Sequence, residues 1–94
     1  MSVEWEPSAT AELVEHVVDY AERYDPVVAY RIYDDVRERA EILDDQPRLG
    51  RPGRVRGTRE FVVTGTPFIL VYQVESSTVR MLRVLHGHQQ WPSD

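Results

Sequence analysis

Apolar and polar residues alternate at the start of the chain and then change to a helical period. Val3 and Trp5 stand between polar neighbours, which is typical of a short edge strand. We expect Pro7 to end this strand and Ser8 to cap the helix that follows. From residue 9 to residue 24 the apolar side chains recur every three or four positions, the spacing of one face of an amphipathic helix.

A second helical stripe follows almost at once. Asp25-Pro26 combines an N-cap residue with a proline at the first helical position, and the stripe then runs to about Asp45. Because so few residues link the two helices, they must form an antiparallel hairpin. Charged residues cover the outer face of the first helix, where His16 is expected to be a surface residue. The tyrosines of both helices are expected in the core or in the seam between the helices.

The period changes from helical to twofold after the hairpin. Residues 46–57 are rich in glycine and proline and predict a loop. Three strands are then expected over residues 59–63, 68–74 and 78–86, and the middle one is apolar on both faces, as in a covered central strand. The order β-αα-βββ predicts a single α+β domain over residues 1–94, with the helical hairpin packed on an antiparallel sheet.

Charge divides the chain into two unlike halves. The net charge is -5, but residues 1–47 carry 13 acidic and 4 basic side chains, whereas residues 48–94 carry 3 and 7. The overall balance argues against a nucleic-acid binder, while the basic second half is expected to meet a negatively charged partner. All 11 basic residues are arginine, so lysine chemistry is excluded, and the planar guanidinium suits phosphate or carboxylate.

Several classes of protein are not expected. The chain has no cysteine, which excludes disulfides and thiol chemistry and fits a reducing cytoplasm. It has neither a long apolar run nor a signal peptide, so no membrane association is expected. A glycine-rich phosphate loop, metal-ligand spacing and a nucleophile elbow are absent from the sequence, so we expect neither a cofactor nor a metal.

Four arginines are grouped around the Gly/Pro loop: Arg51, Arg54, Arg56 and Arg59. Charge runs of this kind are commonly solvated loops. In an acidic protein, however, such a group would attract an acidic protein segment or a nucleic-acid backbone. We therefore interpret it as a binding surface.

Three further residues near the end of the chain are candidates for a site. Arg83 lies among apolar strand residues and is either paired with Glu60 or Glu75, or held for a partner's carboxylate or phosphate. His86 ends the same strand; it either bonds a backbone carbonyl, the more ordinary role, or acts as an acid–base catalyst. Trp91 either packs the tail onto the core or anchors a partner.

Three segments of the second half resemble the toxins of the RelE/ParE superfamily. They read GRVRGTREFVV at residues 53–63, PFILVYQV at residues 67–74, and RVLHG at residues 83–87 followed by Trp91-Pro92. They are similar to the GR-V-GTREL-V, PY-VVYRV and RVLHG-Q-WP segments of plasmid-stabilisation toxins. The resemblance implies a growth-inhibiting toxin that a cognate antitoxin holds inactive. It also implies contact with operator DNA only through that antitoxin.

The family implies two alternative activities. RelE-like members cleave mRNA in the ribosomal A site, whereas ParE-like members poison DNA gyrase and are not known to be nucleases. Metal-free RNA cleavage needs a base, an acid and cations around the phosphorane. RelE has an arginine where this chain has Ile69, and its lysines have no counterpart here. We therefore expect a gyrase poison without catalysis. The alternatives are a ribosome-dependent endoribonuclease using Arg59, Arg83 and His86, with His88 as a further histidine, and a non-toxic binding module.

Overall fold

The protein is an α+β domain, as the sequence predicts. The computed structural model describes residues 2–87 and 91–92. Its elements are β1 (Ser2–Trp5), α1 (Pro7–Arg23), α2 (Pro26–Ala40), α3 (Ile42–Asp45), β2 (Arg51–Pro52), β3 (Arg59–Val62), β4 (Phe68–Glu75) and β5 (Thr78–His86). Within these described residues no helix is both long and apolar enough to cross a lipid bilayer.

All five strands belong to one sheet, in the order β1-β5-β4-β3-β2. The pairs from β5 to β2 are antiparallel, but β1 runs parallel to β5, with Val3 opposite Val79. The prediction of a wholly antiparallel sheet is therefore wrong at one edge. Alternation in a sequence fixes which side chains share a face, and it carries no information about the direction of the neighbouring strand.

The first helix begins two residues earlier than predicted. Pro7 occupies the first turn and Glu6 the N-cap position, where its side chain makes no capping hydrogen bond. Proline suits this position because its fixed φ is helical and it has no N–H group to satisfy. The expected cap, Ser8, lies inside the helix, and its hydroxyl donates to the carbonyl oxygen of Leu82 at 3.5 Å.

The second helix begins where the sequence predicts and ends earlier. Asp25 is its N-cap, and the Asp25 carboxylate accepts from the N–H of Val27 at 2.8 Å. The helix stops at Ala40, and Glu41 separates it from the one-turn helix α3. The expected single helix to Asp45 is thus two helices.

Apolar residues cover both faces of the sheet. Between the hairpin and the sheet lies the main core, which includes Leu13, Val36, Leu43, Leu70, Tyr72 and Met81. On the opposite side, here called the back face, Ile69, Val71 and Leu85 form a smaller cluster beneath Trp91. The prediction that residues 68–74 form a strand covered on both faces is confirmed for its first five residues.

A β-bulge changes the facing of β5 at Leu82. Met81 pairs with Tyr72, and Arg83 pairs with Val71, the residue before Tyr72 in β4, so Leu82 is the extra residue between the two pairs. The extra residue shifts the alternation, as bulges do. Met81 consequently packs in the main core, whereas Arg83 lies on the back face beside Trp91. Twofold alternation alone would place Arg83 on the face of Met81, and that expectation from the sequence is wrong because of the bulge.

Candidate functional site

The loop that carries most of the arginines is fastened to the sheet by a buried tyrosine. We call residues 46–59 the arginine loop. The hydroxyl of Tyr72 donates to the carbonyl oxygen of Pro47 at 2.7 Å and accepts from the N–H of Gly50 at 2.9 Å. A Cβ atom at Gly50 would lie only 2.6 Å from that hydroxyl oxygen. Glycine is therefore required there, and the loop includes the short strand β2, which the sequence did not predict.

Glu60 neutralises two of the four predicted arginines. Its residue surface is 2% exposed, and its carboxylate accepts from the Arg51 guanidinium at 3.2 Å and the Arg54 guanidinium at 3.1 and 3.2 Å. It also accepts from the backbone N–H of Arg54 at 2.8 Å. Burial raises the pKa of Glu60, but the hydrogen bonds from Arg54 and Arg51 outweigh burial and leave that pKa lowered. The charges of Arg51 and Arg54 are thus paired with Glu60 within the chain.

Three other arginines of this loop have no carboxylate partner within the described part of the chain: Arg48, Arg56 and Arg59. The Arg59 guanidinium donates to the carbonyl oxygens of Gly50 at 2.7 Å and Arg48 at 3.4 Å. Its position is therefore fixed while its charge is not cancelled. Arg48 and Arg59 line a cavity of about 430 Å³. The sequence places Arg48 in the same Gly/Pro-rich loop, but the predicted binding surface did not include it.

The partner of Arg83 is Glu12 of α1, and neither of the two predicted partners. The Arg83 guanidinium donates to the Glu12 carboxylate at 3.0 Å and lies 4.8 Å from the Trp91 ring centroid. The hydrogen bond that Arg83 donates to the Glu12 carboxylate raises the pKa of Arg83. Glu60 and Glu75, the expected partners, accept from other arginines. Glu12 and Trp91 therefore hold the Arg83 side chain in place on the back face.

β1 pairs with only the first part of one edge of β5, and side chains of helix α1 bind the backbone of the next part. β1 ends at Trp5, which lies opposite Met81. Beyond that point Glu12 accepts from the N–H of Val84 at 3.2 Å, and the Nε2 atom of His16 lies 3.0 Å from the carbonyl oxygen of Val84. Side chains of α1 at four-residue intervals thus satisfy backbone groups of an exposed strand edge.

The prediction that His16 is a surface residue is wrong. Its ring is part-buried and stacks on Phe68 with 5.3 Å between ring centroids. The ring centroid of the exposed His86 lies 6.2 Å from that of Phe68 and 6.4 Å from that of His16. Both histidines line a cavity of about 470 Å³ together with Arg23 and its ion-pair partner Asp19. His88 lies outside the described residues.

The candidate catalytic residues do not converge. Arg59 pairs with Tyr72, which faces the hairpin, and Arg83 pairs with Val71, which faces the back of the sheet. Directly opposite residues of antiparallel strands point to the same face, so the two arginines lie on opposite faces. His86 is the last residue of β5, three positions after Arg83. No group of three His, Asp or Glu residues suited to a metal occurs among the residues described.

Trp91 packs onto the back-face cluster of Ile69, Val71 and Leu85, as one of its two predicted roles requires. Its indole N–H is buried and has no hydrogen-bond partner among residues 2–87 and 91–92. The ring also covers Arg83. Trp91 therefore closes the back face with an apolar surface.

The hairpin exposes apolar side chains on the surface turned away from the sheet. Tyr24 and Tyr30 are 72% and 73% exposed, so the expectation that all helical tyrosines are core or seam residues is wrong for these two. Val14 and Val18 are nearly half exposed and line a cavity of about 360 Å³ with Tyr30. An apolar patch on so small a domain is typical of a partner-binding surface.

Known proteins share this sequence and this architecture. The family model described as the ParE toxin of the type II toxin–antitoxin system parDE matches residues 3–91. The candidate toxin Y4kP of Sinorhizobium fredii is 41% identical over 73 residues, which cover 78% of this chain and 75% of that protein.

Two solved structures have the same fold. A structure of the chromosomal ParDE system from P. aeruginosa has a TM-score of 0.84 and 26% identity, over 92% of this chain and 95% of the matched one. The RelBE2 toxin–antitoxin complex from Mycobacterium tuberculosis has a TM-score of 0.62 and 26% identity, over 90% and 88%. The chain belongs to the ParE toxin family and is the toxin component of a type II toxin–antitoxin system.

Proposed function

We propose that the free protein inhibits DNA gyrase by binding it and does not cleave RNA. The observation that carries this proposal is the position of Ile69. The resemblance to RNA-cleaving RelE-like toxins implies an arginine at that position, whereas Ile69 is 8% exposed in the apolar cluster beneath Trp91. An aliphatic side chain cannot stabilise a phosphorane. Loss of one such contact typically slows a reaction about a hundredfold or more.

The other candidate catalytic residues support the same conclusion. Arg83 is bound to Glu12, and Arg59 donates to backbone carbonyls on the opposite face of the sheet. A phosphate held by one of them is out of reach of the other. The arginines therefore suit recognition of a partner better than stabilisation of one shared transition state.

The cognate antitoxin is the partner that both structural neighbours suggest, since both are toxin–antitoxin systems. We propose that it packs on the apolar patch of the hairpin around Val14, Val18 and Tyr30, and that it also reaches the arginine loop. The antitoxin would bury the exposed apolar side chains of the patch, and the arginines of the loop would attract an acidic segment of the antitoxin. The free toxin is then expected to be poorly soluble or self-associated.

Ribosome-dependent mRNA cleavage is the second candidate function. One observation favours it: the His16 and His86 rings lie 6.4 Å apart beside a shared cavity, so two imidazoles could act as base and acid. Among the described residues that line this cavity, the arginine is Arg23, and it is paired with Asp19 and not free to stabilise the phosphorane.

Two assays with the same purified protein distinguish the candidates. Gyrase supercoiling is measured with increasing toxin, and mRNA ends are mapped on programmed ribosomes. We expect inhibited supercoiling and intact mRNA, with His86→Ala unchanged in both assays. Cuts at fixed codon positions that disappear in His86→Ala would establish the nuclease. Adding the antitoxin should restore supercoiling, which controls for nonspecific inhibition.

A further inference from the structure

The cavity beside Arg48 and Arg59 is lined by these two arginines and by no acidic residue of the described part of the chain. Five arginines occur between residues 48 and 59, and the acidic residue that binds side chains among them, Glu60, is saturated by Arg51 and Arg54. The charges of Arg48 and Arg59 therefore remain available at the cavity. Arg56 is next to Gly57, which also lines it, and adds to the positive field.

The geometry of Arg59 is suited to binding an anion. One of its terminal nitrogens is held by two carbonyl oxygens, so the guanidinium loses little freedom when a ligand arrives. Guanidinium groups present further N–H donors in a rigid fork that matches a carboxylate or a phosphate. Such a preorganised cation is a recognition element rather than a solvated surface charge.

The cavity also has apolar walls. Pro47, Pro52 and Val74 line it alongside the two arginines. Apolar walls beside fixed cations fit a side chain that ends in an anion and is attached to an apolar stem or flanked by apolar neighbours. A glutamate or aspartate within a peptide has this character, while inorganic phosphate would leave the apolar walls uncovered.

Long-range charge favours a peptide over a nucleic acid. The positive field is local, because residues 1–47 carry 13 acidic against 4 basic side chains. At physiological salt, electrostatic interactions between exposed charges are largely screened beyond roughly 8 Å. A short peptide segment in the cavity therefore interacts with the arginines and not with the acidic hairpin. A nucleic-acid strand carries a charge at every nucleotide and extends beyond the cavity, where it would approach the acidic hairpin.

We propose that the cavity between Arg48 and Arg59 binds a carboxylate side chain of a short acidic peptide segment of a partner protein. The two guanidiniums receive the carboxylate, and Pro47, Pro52 and Val74 contact its apolar neighbours. This proposal deepens the proposed contact between the arginine loop and the antitoxin and rests on it, but it is independent of whether the toxin acts on gyrase. A chain that fails to inhibit gyrase can therefore still satisfy this proposal.

The test is a titration of the purified full chain with a short fluorescein-labelled peptide in which glutamates alternate with valines, followed by fluorescence anisotropy. A peptide with glutamine at each glutamate position is the matched control. We expect the glutamate peptide to bind at low salt, to weaken as salt is added, and to bind at least about tenfold more tightly than the glutamine peptide, a difference of about 1.4 kcal/mol.

Variants of the chain locate the binding. Arg48→Gln should weaken binding severalfold, and Arg59→Gln by about tenfold or more; Arg59→Lys should recover only part, because it keeps the charge and loses the fork. Arg31→Gln is the control, since Arg31 is an exposed arginine on α2 outside this cavity. Circular dichroism confirms folding, and Arg48→Gln remains informative if Arg59 variants unfold.

Three results would overturn the proposal. The first is equal affinity for the glutamate and glutamine peptides. A second is an Arg31→Gln variant that loses as much affinity as Arg48→Gln, which would indicate nonspecific attraction. The third is a single-stranded RNA of the same length that binds more tightly and displaces the peptide, which would identify a nucleic-acid backbone as the ligand.

Discussion

Replacing the buried carboxylate of Glu60 tests how the arginine loop is held in place. Glu60→Gln keeps the size of the side chain and removes its charge, so the donors of Arg51 and Arg54 face an amide with one acceptor instead of a carboxylate. A hydrogen bond to a charged group contributes roughly 1.5–3 kcal/mol. Because the Arg51 and Arg54 side chains are about half exposed, solvent screens part of this contribution.

We therefore expect Glu60→Gln to lower the free energy of unfolding by about 2–3 kcal/mol. In a domain of this size that corresponds to a fall in Tm of roughly 10–20 °C. The matched control is Glu75→Gln, because Glu75 also pairs with an arginine, Arg80, but is exposed. That variant should change stability little. Urea unfolding followed by circular dichroism measures both.

The pH dependence gives the sharper measurement. The folded-state pKa of Glu60 is lowered, so the unfolded chain takes up the proton more readily than the folded chain. The stabilisation by Glu60 is complete above the ordinary glutamate pKa of about 4.3 and is lost as the pH falls through the lower folded value. The difference in stability between wild type and Glu60→Gln should therefore be full at neutral pH and shrink below about pH 4. A difference under 0.5 kcal/mol at neutral pH, or one that is constant down to pH 3, would refute the reasoning.

Three further substitutions test other contacts. Gly50→Ala should destabilise the chain by roughly 1–3 kcal/mol in thermal unfolding, because its Cβ would collide with the Tyr72 hydroxyl; an unchanged Tm would contradict the close approach. Glu12→Gln should speed hydrogen exchange at the Val84 amide by about tenfold or more, since that N–H loses a charged acceptor; protection equal to wild type would contradict its role at the strand edge. Tyr30→Asp should weaken rescue by the antitoxin in a co-expression growth assay without changing toxicity; full rescue would exclude the hairpin patch as the antitoxin surface.

Local signals in the sequence predicted the hairpin and the strands well. Asp25 and Pro26 begin α2 because capping depends on a few adjacent residues. The twofold period likewise placed β3, β4 and β5 within a residue or so of their observed bounds. Such features depend on neighbours in the chain, which is why the sequence alone is enough to locate them.

Features that depend on distant residues were not predictable. Arg83 meets Glu12 across 71 positions, and only the folded topology brings them together. The bulge at Leu82 leaves no mark in the sequence, yet it decides which face Arg83 occupies. The grouping of arginines was visible, but the division into the two bound by Glu60 and the three others required side-chain positions. The same holds for His16: it shares a helix face with Glu12, but only the folded topology brings that face against Val84 of β5.

The parallel pairing of β1 with β5 has a consequence for synthesis of the protein. β5 follows every other strand in the chain, yet it lies between β1 and β4 and also anchors α1. The sheet therefore cannot join its first strand to the rest until the residues opposite β1, which run from Thr78 to Met81, have left the ribosome. Until then β1 and α1 have no edge to bind, and their contacts close loops of more than 65 residues. The sheet is thus completed only after β5 has been synthesised, although β1 and both helices of the hairpin precede it in the chain.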